Sequence, residues 1–404
     1  MKKRLFIAFF ALCSLTWLFG AEITIPNLEV SSRGSVVNGT FGITSSMAAD
    51  ISLSGGYKYA ITLGLGVEIP DLEKALSYGR FDFDNLDPTK PEDLDDRLNN
   101  QAVVSIRSVK AVIREVFGTP LEIGFFIGHH EKLGSGDEFQ EYFGSDPIGT
   151  GLRGFFYYPD GLNDDPLFRF NGAIHTIKGT GLAFKAYLGN IIPALYVYHD
   201  LSFPEDRING SYVPGVYSGD FKLLANGEYA KVEIFLGGTY ITEEKPVFRG
   251  GALAWFGSGP LSLLFQAGIP YWEAGSNLDI DNCYFLMEPR LQFEKAGASL
   301  TFFYHPVYYM NRVIEEGGTK ANGRADINFR LFYGNLSKSA FEAGLETLIN
   351  LEFQNGEDLT LWVAPFVSAV TSGLHWDFTV RFNPRYYWDK GTLMEAFIAF
   401  RAAF

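Results

Sequence analysis

The sequence predicts an all-β fold, a single transmembrane antiparallel meander β-barrel of about 16–18 strands with long extracellular loops and short periplasmic turns. Three observations predict it. Apolar and polar residues alternate with period two over long segments that recur to the end of the chain. The connections between these segments sort by length onto two sides. Aromatic residues are abundant, with 37 Phe and 21 Tyr among 404 residues, which suits strands better than helices.

The first twenty residues predict an export signal. Lys2, Lys3 and Arg4 precede a mostly apolar run that ends at the small pair Gly20 and Ala21, which is the layout of a secretory signal peptide. We therefore expect residues 1–20 to be a signal peptide. Without its three basic residues the formal net charge falls from −14 to −17, so nucleic acid is not expected as a partner.

The alternation defines the strands of the expected barrel. The first period-two run extends from Val37 to Leu53, "SGG" at 54–56 predicts a turn, and residues 57–69 form the next strand. Residues 35–404 are therefore expected to form the barrel. The weakly alternating segment 21–34 leaves two alternatives open, a first strand or a piece in the lumen or periplasm. Prolines interrupt three strands, and we expect bulges there, at Pro193, Pro289 and Pro365.

The lengths of the connections separate a membrane barrel from a soluble β-sandwich. Counting back from the C-terminus, one side receives tight turns such as "VTSG" at 370 and "GSGP" at 257. The other side receives most of the long connections, including residues 70–101 and 132–166. A soluble sheet has no reason to sort its connections in this way, whereas outer-membrane barrels have short periplasmic turns and long outer loops.

The chain ends in "MEAFIAFRAAF", in which apolar residues alternate up to a terminal Phe. This stretch resembles the C-terminal assembly signal of bacterial outer-membrane β-barrel proteins, and the matching residues are Met394, Ala396, Ile398, Phe400 and Phe404. The resemblance implies a location in the bacterial outer membrane, contact with outer-membrane lipid and recognition by the barrel-assembly machinery. It does not indicate a solute.

Charged residues on the strands are expected to face the lumen. An Arg or Lys on the lipid face costs about 2–4 kcal/mol at the bilayer midplane. Two interpretations remain open, a mutually neutralising network that holds the barrel's shape and a transverse field that orients polar solutes. The lumen-facing candidates are Glu288, Arg290, Asp326, Arg330, Glu346, Asp377, Arg381 and Arg401.

The acidic connections 71–100 and 132–166 have two interpretations, a solvated outer surface or a vestibule that concentrates cations. Two motifs resemble parts of known binding sites but lack the structural context that such sites need. "GTGLRG" at 149–154 lacks the flanking strand and helix of a dinucleotide site. His129 and His130 are adjacent on a strand, so only one of them can face the interior. We expect no enzyme activity, no cofactor and no metal site.

The leading functional expectation is a porin-like channel or transporter for small solutes or ions, with a preference for cations. A second hypothesis is a surface-exposed adhesion or structural barrel with a plugged lumen. A third is a transporter of hydrophobic substrates, because Phe303, Trp362, Phe366 and Phe397 are expected to face inward. The sequence leaves the oligomeric state open.

Overall fold

A computed structural model describes most of the chain. The described residues are 22–37, 40–69, 103–146, 148–150, 173–201, 216–241, 245–278, 280–305, 324–336, 340–352, 358–386 and 394–402. The strands are β1 Glu22–Val37, β2 Thr40–Gly55, β3 Tyr59–Ile69, β4 Val103–Ile113, β5 Leu121–Leu133, β6 His175–Ala186, β7 Ile191–Asp200, β8 Val216–Asn226, β9 Ala230–Ile241, β10 Val247–Ser258, β11 Leu261–Glu273, β12 Tyr284–Gln292, β13 Ala296–His305, β14 Arg324–Gly334, β15 Phe341–Glu352, β16 Asp358–Thr371, β17 Leu374–Phe382 and β18 Met394–Ala402.

Helical structure in these ranges is slight. One α-helix, α1, comprises Asp137–Phe143, and 3₁₀ turns lie at Val116–Gly118, Ile280–Asn282 and Pro384–Tyr386. Over the described ranges, no helix is long and apolar enough to cross a membrane.

The strands form one closed sheet. Each strand pairs antiparallel with the next along the chain, and β1 pairs with both β2 and β18. Val30 lies opposite Met47 of β2 on one side and opposite Phe400 of β18 on the other. The sheet is therefore an 18-stranded antiparallel meander barrel, as predicted, and residues 22–37 form its first strand.

Side chains alternate between an exposed apolar face and a buried face that carries most of the charge. On β17, Trp376, Phe378 and Phe382 are exposed, whereas Asp377 and Arg381 between them are buried. The rings of Trp376 and Phe400 meet edge to face across β17 and β18, with centroids 4.4 Å apart. The outer wall is thus apolar and aromatic, as a barrel surrounded by lipid requires.

The connections are sorted by length as predicted. At one end of the barrel, the end we call the short-turn end, no connection exceeds the seven residues of 114–120. At the other end, the long-connection end, the longest are 70–102, 134–174, 201–215 and 306–323. Three connections at that end are nevertheless short, at 38–39, 242–246 and 353–357.

Two expectations about the strands were wrong. The run from Val37 to Leu53 is not one strand, because β1 ends at Val37, β2 begins at Thr40, and these two residues pair. Asn-Gly, which stands between them in the sequence, is the residue pair most typical of a two-residue hairpin connection.

The predicted proline bulges are also absent from the described strands. Pro193, Pro289 and Pro365 keep the register of their strands, because a missing N–H removes a ladder bond without inserting a residue. The register shifts instead lie between Thr24 and Asn27, Gly64 and Leu65, His129 and Lys132, and Phe248 and Gly250.

The apolar wall makes a quantitative prediction. Leu345 is exposed in the middle of β15, and Phe341 is exposed at the start of the same strand, at the short-turn end. We expect Leu345→Arg to lower the free energy of unfolding in lipid vesicles by about 2–4 kcal/mol, and the matched control Phe341→Arg by about 0–1 kcal/mol for its charge. Denaturant titration of reconstituted protein, followed by tryptophan fluorescence, measures both. Equal losses at the two positions would contradict a lipid-facing wall.

Candidate functional site

The connection after β5 turns into the barrel. We call residues 134–150, of which all but 147 are described, the inward segment. Phe139 and Ile148 of this segment are buried in one apolar cluster with Phe235 and Leu253 of the inner wall. The expectation that residues 132–166 lie outside as an acidic loop is therefore wrong for the inward segment, because its apolar side chains pack on the wall. Residues 151–166 lie outside the described ranges.

Polar bonds from the wall hold the start of the inward segment. The Glu233 carboxylate accepts hydrogen bonds from the backbone N–H of Gly134 at 2.7 Å and of Gly136 at 3.4 Å. The Gln266 side-chain amide donates to the Gly134 carbonyl at 2.5 Å. Both glycines have positive φ, 71° and 79°, and a Cβ on Gly134 would lie 2.8 Å from Ile174. Glycine is therefore required where the chain enters the lumen.

Two of the predicted lumen-facing residues hold the other end of the inward segment. The hydroxyl of Thr150 donates to Glu288 at 2.5 Å, and the Arg290 guanidinium donates to the Gly149 carbonyl at 2.5 Å. Glu288 and Arg290 also form an ion pair at 2.6 Å. The structure thus places both residues on the inner wall and gives them a common role in holding the segment.

Glu131 is a residue of the candidate site that the period-two alternation did not indicate. The register of β5 against β6 shifts between His129 and Lys132, and a bulge of this kind re-aims a side chain. His129 is exposed, whereas His130 and Glu131 both have buried side chains. Strict period two assigns opposite faces to neighbouring residues, so the alternation hid Glu131.

Four donors converge on the Glu131 carboxylate. It accepts hydrogen bonds from Lys222 at 2.5 Å, from Tyr196 at 2.5 Å and from Tyr142 at 3.1 Å, and it pairs with Lys185. These partners come from β6, β7, β8 and α1. A buried carboxylate needs this compensation, because desolvation of an unpaired charge costs several kcal/mol.

The helix α1 docks on this cluster through two residues one turn apart. Glu138 lies 3.4 Å from the Lys222 ammonium. Tyr142 bonds to Glu131, and the Lys185 ammonium lies 5.0 Å from its ring centroid. Burial raises the pKa of Glu138 to about 8, Lys222 opposes the rise, and Glu233 and Glu131 add to it. Burial also raises the pKa of the Tyr142 hydroxyl.

A second buried network lies on the wall beside the Glu131 cluster. The Arg249 guanidinium forms two bonds of 2.6 Å to the Asp220 carboxylate, and Tyr198 donates to Asp220 at 2.7 Å. Arg249 also donates to Thr239 at 2.7 Å. This bidentate geometry fixes the orientation of the guanidinium, so the wall here is rigid and carries matched charges.

The predicted arginines of β14 and β17, Arg330 and Arg381, are each paired with carboxylates. Arg330 lies 2.5 Å from Glu342 and 3.6 Å from Glu346, and its guanidinium stacks over Phe366 at 4.3 Å. Arg381 pairs with Glu395 and stacks over Trp362 at 4.2 Å.

The remaining predicted residues lie on the buried face as well. Arg401 lies 2.9 Å from Asp377 and 3.3 Å from Glu29, and because Glu29 belongs to β1, this arginine ties the last strand to the first. Arg33 of β1 likewise pairs with Glu395 of β18. Asp326 is buried on β14. The geometry favours a neutralising network for these groups over an unbalanced transverse field.

Other predicted sites divide between described and undescribed residues. Ile398 is exposed on the outer wall and Phe400 is partly buried against Trp376, whereas Phe404 and the predicted signal peptide lie outside the described ranges. Their proposed roles in assembly and export stay predictions. Within the described ranges, no group of three or more His, Cys, Asp or Glu side chains could hold a metal ion.

Comparison of the whole fold with known proteins identifies similar structures. OccAB3 of Acinetobacter baumannii superposes with a TM-score of 0.53 at 9% identity, covering 95% of this chain and 99% of that protein. OpdL of Pseudomonas aeruginosa gives 0.52 at 9% identity, and OccK8 (OprE) of the same organism gives 0.51 at 8%, each covering 95% of this chain and 98% of its own. The chain shares their fold. No protein-family model and no curated protein sequence matches it.

The location follows from the fold and the wall together. The sheet closes on itself and its exposed face is a continuous apolar and aromatic surface, which only a lipid environment makes favourable over such an area. A barrel of this kind belongs in the bacterial outer membrane, as predicted.

Lys222 should be essential for docking the inward segment. Removal of its charge leaves Glu131 and Glu138 buried without their shared cation, and breaking a buried pair costs about 3–5 kcal/mol. We expect Lys222→Gln to raise the hydrogen-exchange rate of residues 134–146. The control is Lys231→Gln on the neighbouring strand, because Lys231 stacks over Trp255 at 4.3 Å and forms no ion pair within the described residues. Unchanged protection in Lys222→Gln would show that the cluster does not hold the segment.

The raised pKa of Glu138 makes docking depend on pH. A carboxyl group whose pKa is higher when docked than when solvated binds more protons in the docked state, so docking weakens as pH rises from about 4.5 to about 8. We expect protection factors for residues 134–146 to be higher at pH 5 than at pH 9. In Glu138→Gln this difference should shrink. An equal pH dependence in both proteins would assign it to another group.

Proposed function

We propose that the chain is a porin-like channel that passes small polar solutes or ions through its lumen, past the inward segment. The inward segment carries the proposal. It leaves the wall after β5 and is bonded at one end to Glu233 and Gln266 and at the other to Glu288 and Arg290. A barrel of eighteen strands is too wide for wall side chains alone to fill. A segment fixed inside such a barrel therefore narrows the lumen through which a solute would pass.

The proposed selectivity is a preference for cations. Among the described residues, twelve buried side chains are Asp or Glu and four are Lys or Arg. Glu138, whose pKa is raised to about 8, is mostly protonated at neutral pH, so eleven of the twelve acids remain to set the charge. Half-buried arginines on the same face, such as Arg290, Arg330 and Arg401, reduce this excess. An inner surface with excess negative charge in a low-dielectric wall attracts cations and repels anions.

The competing hypotheses receive less support. An apolar solute needs accessible apolar surface in the lumen, but Phe303 is 1% exposed and Phe366 is 2% exposed. An adhesion barrel with a plugged lumen differs from a channel in one measurable property, the conductance.

For the chain termini, we propose that residues 1–20 direct export and that Ile398, Phe400 and Phe404 are read by the barrel-assembly machinery, as the resemblance implies.

Planar-bilayer recording of the purified protein tests the channel. We expect steady conductance and, in a salt gradient, a reversal potential of the sign that indicates cation preference. An anion-selective reversal potential would contradict the charge argument. Absence of any conductance would overturn the channel and favour the plugged barrel.

Cysteine modification tests whether the inward segment lines the path. Gln140 is an exposed residue of α1, so Gln140→Cys in a Cys283→Ser background should lose conductance when a bulky cationic thiol reagent is added. The matched control is Asn277→Cys, which is exposed on the connection between β11 and β12 and should be insensitive. Equal insensitivity of both variants would place the path away from α1.

A further inference from the structure

The inner wall is accessible to water on one side of the lumen. Among the inward-facing residues that the structure describes on β2, β3 and β4, only Ala60 and Gly66 are buried. On β7, by contrast, every inward-facing residue is buried, namely Ile192, Ala194, Tyr196, Tyr198 and Asp200. We call the inner wall of β2 to β4 the open side.

The inward segment explains this asymmetry. Its partners on the wall, from Glu131 to Arg290, belong to β5 to β12. The segment therefore packs on that part of the wall, and the lumen that remains lies toward the open side. The face of α1 opposite to its wall contacts is exposed and carries Asp137, Gln140 and Glu141.

A β-bulge places an arginine on the open side. The register of β4 against β3 shifts between Gly64 and Leu65, which makes Arg107 an extra residue of β4, and such a residue can be aimed differently from its neighbours. Its side chain lies across Gly66, where a Cβ would come 2.1 Å from the Arg107 Nε. On the other side, Gly128 has a φ of 86°, and a Cβ there would lie 2.2 Å from the Arg107 carbonyl oxygen. Glycine is therefore required on both neighbouring strands to hold this arginine.

Arg107 forms an ion pair with Asp50 across β3. Its Nη1 lies 2.5 Å from the Asp50 Oδ1, and the two side chains are 32% and 28% exposed. The pair of Arg249 and Asp220 on the covered wall is only 2% and 0% exposed. Charges that water reaches act on a passing ion, whereas a buried and matched pair presents little net charge to the lumen.

We propose that ions and small polar solutes pass along the open side and that Arg107 and Asp50 set the charge selectivity of this path. The inference rests on the proposed channel function, and it adds the position of the path and the two residues that act on an ion within it. Arg107 opposes the excess of acidic groups on the inner wall, and Asp50 weakens that opposition by pairing with it. Removal of one charge therefore shifts the selectivity in the direction opposite to removal of the other.

Reversal potentials in a potassium chloride gradient across a planar bilayer test the role of the pair. We expect Arg107→Gln to raise the ratio of potassium to chloride permeability and Asp50→Asn to lower it. Each shift should be about threefold at low salt, because a unit charge about 6 Å from an ion in water changes the local concentration of that ion about threefold. Arg107→Lys keeps the charge and should keep the selectivity of the unsubstituted protein.

The matched control is Arg330→Gln. Arg330 also lies on the inner wall and pairs with carboxylates, but it belongs to β14, its side chain is 18% exposed, and it stacks over Phe366. Its loss should change the permeability ratio much less than the loss of Arg107. Gel mobility of unheated samples verifies assembly, and a general folding defect would not shift the selectivity in opposite directions in Arg107→Gln and Asp50→Asn.

Thiol labelling locates the open side without relying on conductance. In a Cys283→Ser background, Ser108→Cys replaces a partly exposed residue on the inward face of β4 and should react quickly with a small cationic thiol reagent. Ser368→Cys replaces a residue that is 2% exposed on the inner wall of β16 and should react much more slowly. Mass spectrometry of the intact protein from lipid vesicles counts the labels.

The outcomes separate this inference from the channel itself. Absence of conductance in the unsubstituted protein would overturn the channel and the path together. A conducting protein whose selectivity is unchanged in Arg107→Gln and Asp50→Asn, or shifts equally in Arg330→Gln, would overturn the path while the channel stands. Labelling of Ser108→Cys as slow as that of Ser368→Cys would also overturn the path, because the open side would then be closed to solutes.

Discussion

Every backbone N–H and C=O in the wall needs a partner on a neighbouring strand, because hydrocarbon supplies no water to replace a missing one. The pairing of β1 with β18 meets this requirement by removing both edges of the sheet. Once the sheet is closed, each strand has one face toward lipid and one toward the lumen, and the period-two alternation follows. The charge pairs between Arg401 and Glu29 and between Arg33 and Glu395 exist only across this seam.

The wall could be predicted from the sequence because its physics is local. Alternation, turn residues and connection lengths each appear within a few residues, and together they indicate the meander, its approximate size and its two ends. Some ion pairs follow from the same information. Arg330 lies opposite Glu346 and Arg381 lies opposite Glu395 in the register of consecutive strands, so correct hairpins already bring these charges together.

The inward segment could not be predicted because its partners are distant in sequence. Gly134 bonds to Glu233 and Gly149 bonds to Arg290, and no local pattern links such positions. Its acidic residues have the composition of a solvated loop. The Glu131 cluster was hidden for another reason, since one extra residue in β5 breaks the alternation at the position where the wall meets α1. A bulge has no reliable signature in a single sequence, as the wrongly placed proline bulges also show.

The distribution of these bonds along the chain bears on the order of folding. The Glu131 cluster needs only β5 to β8 and α1, a contiguous stretch whose loops close at modest entropic cost. The bonds of Gly134 need β9 and β11, and those of Gly149 and Thr150 need β12. The seam joins residues near the two ends of the chain and closes the longest loop of all. Because the cost of closing a loop grows with its length, we expect the helix to dock among the early strands and the cylinder to close last.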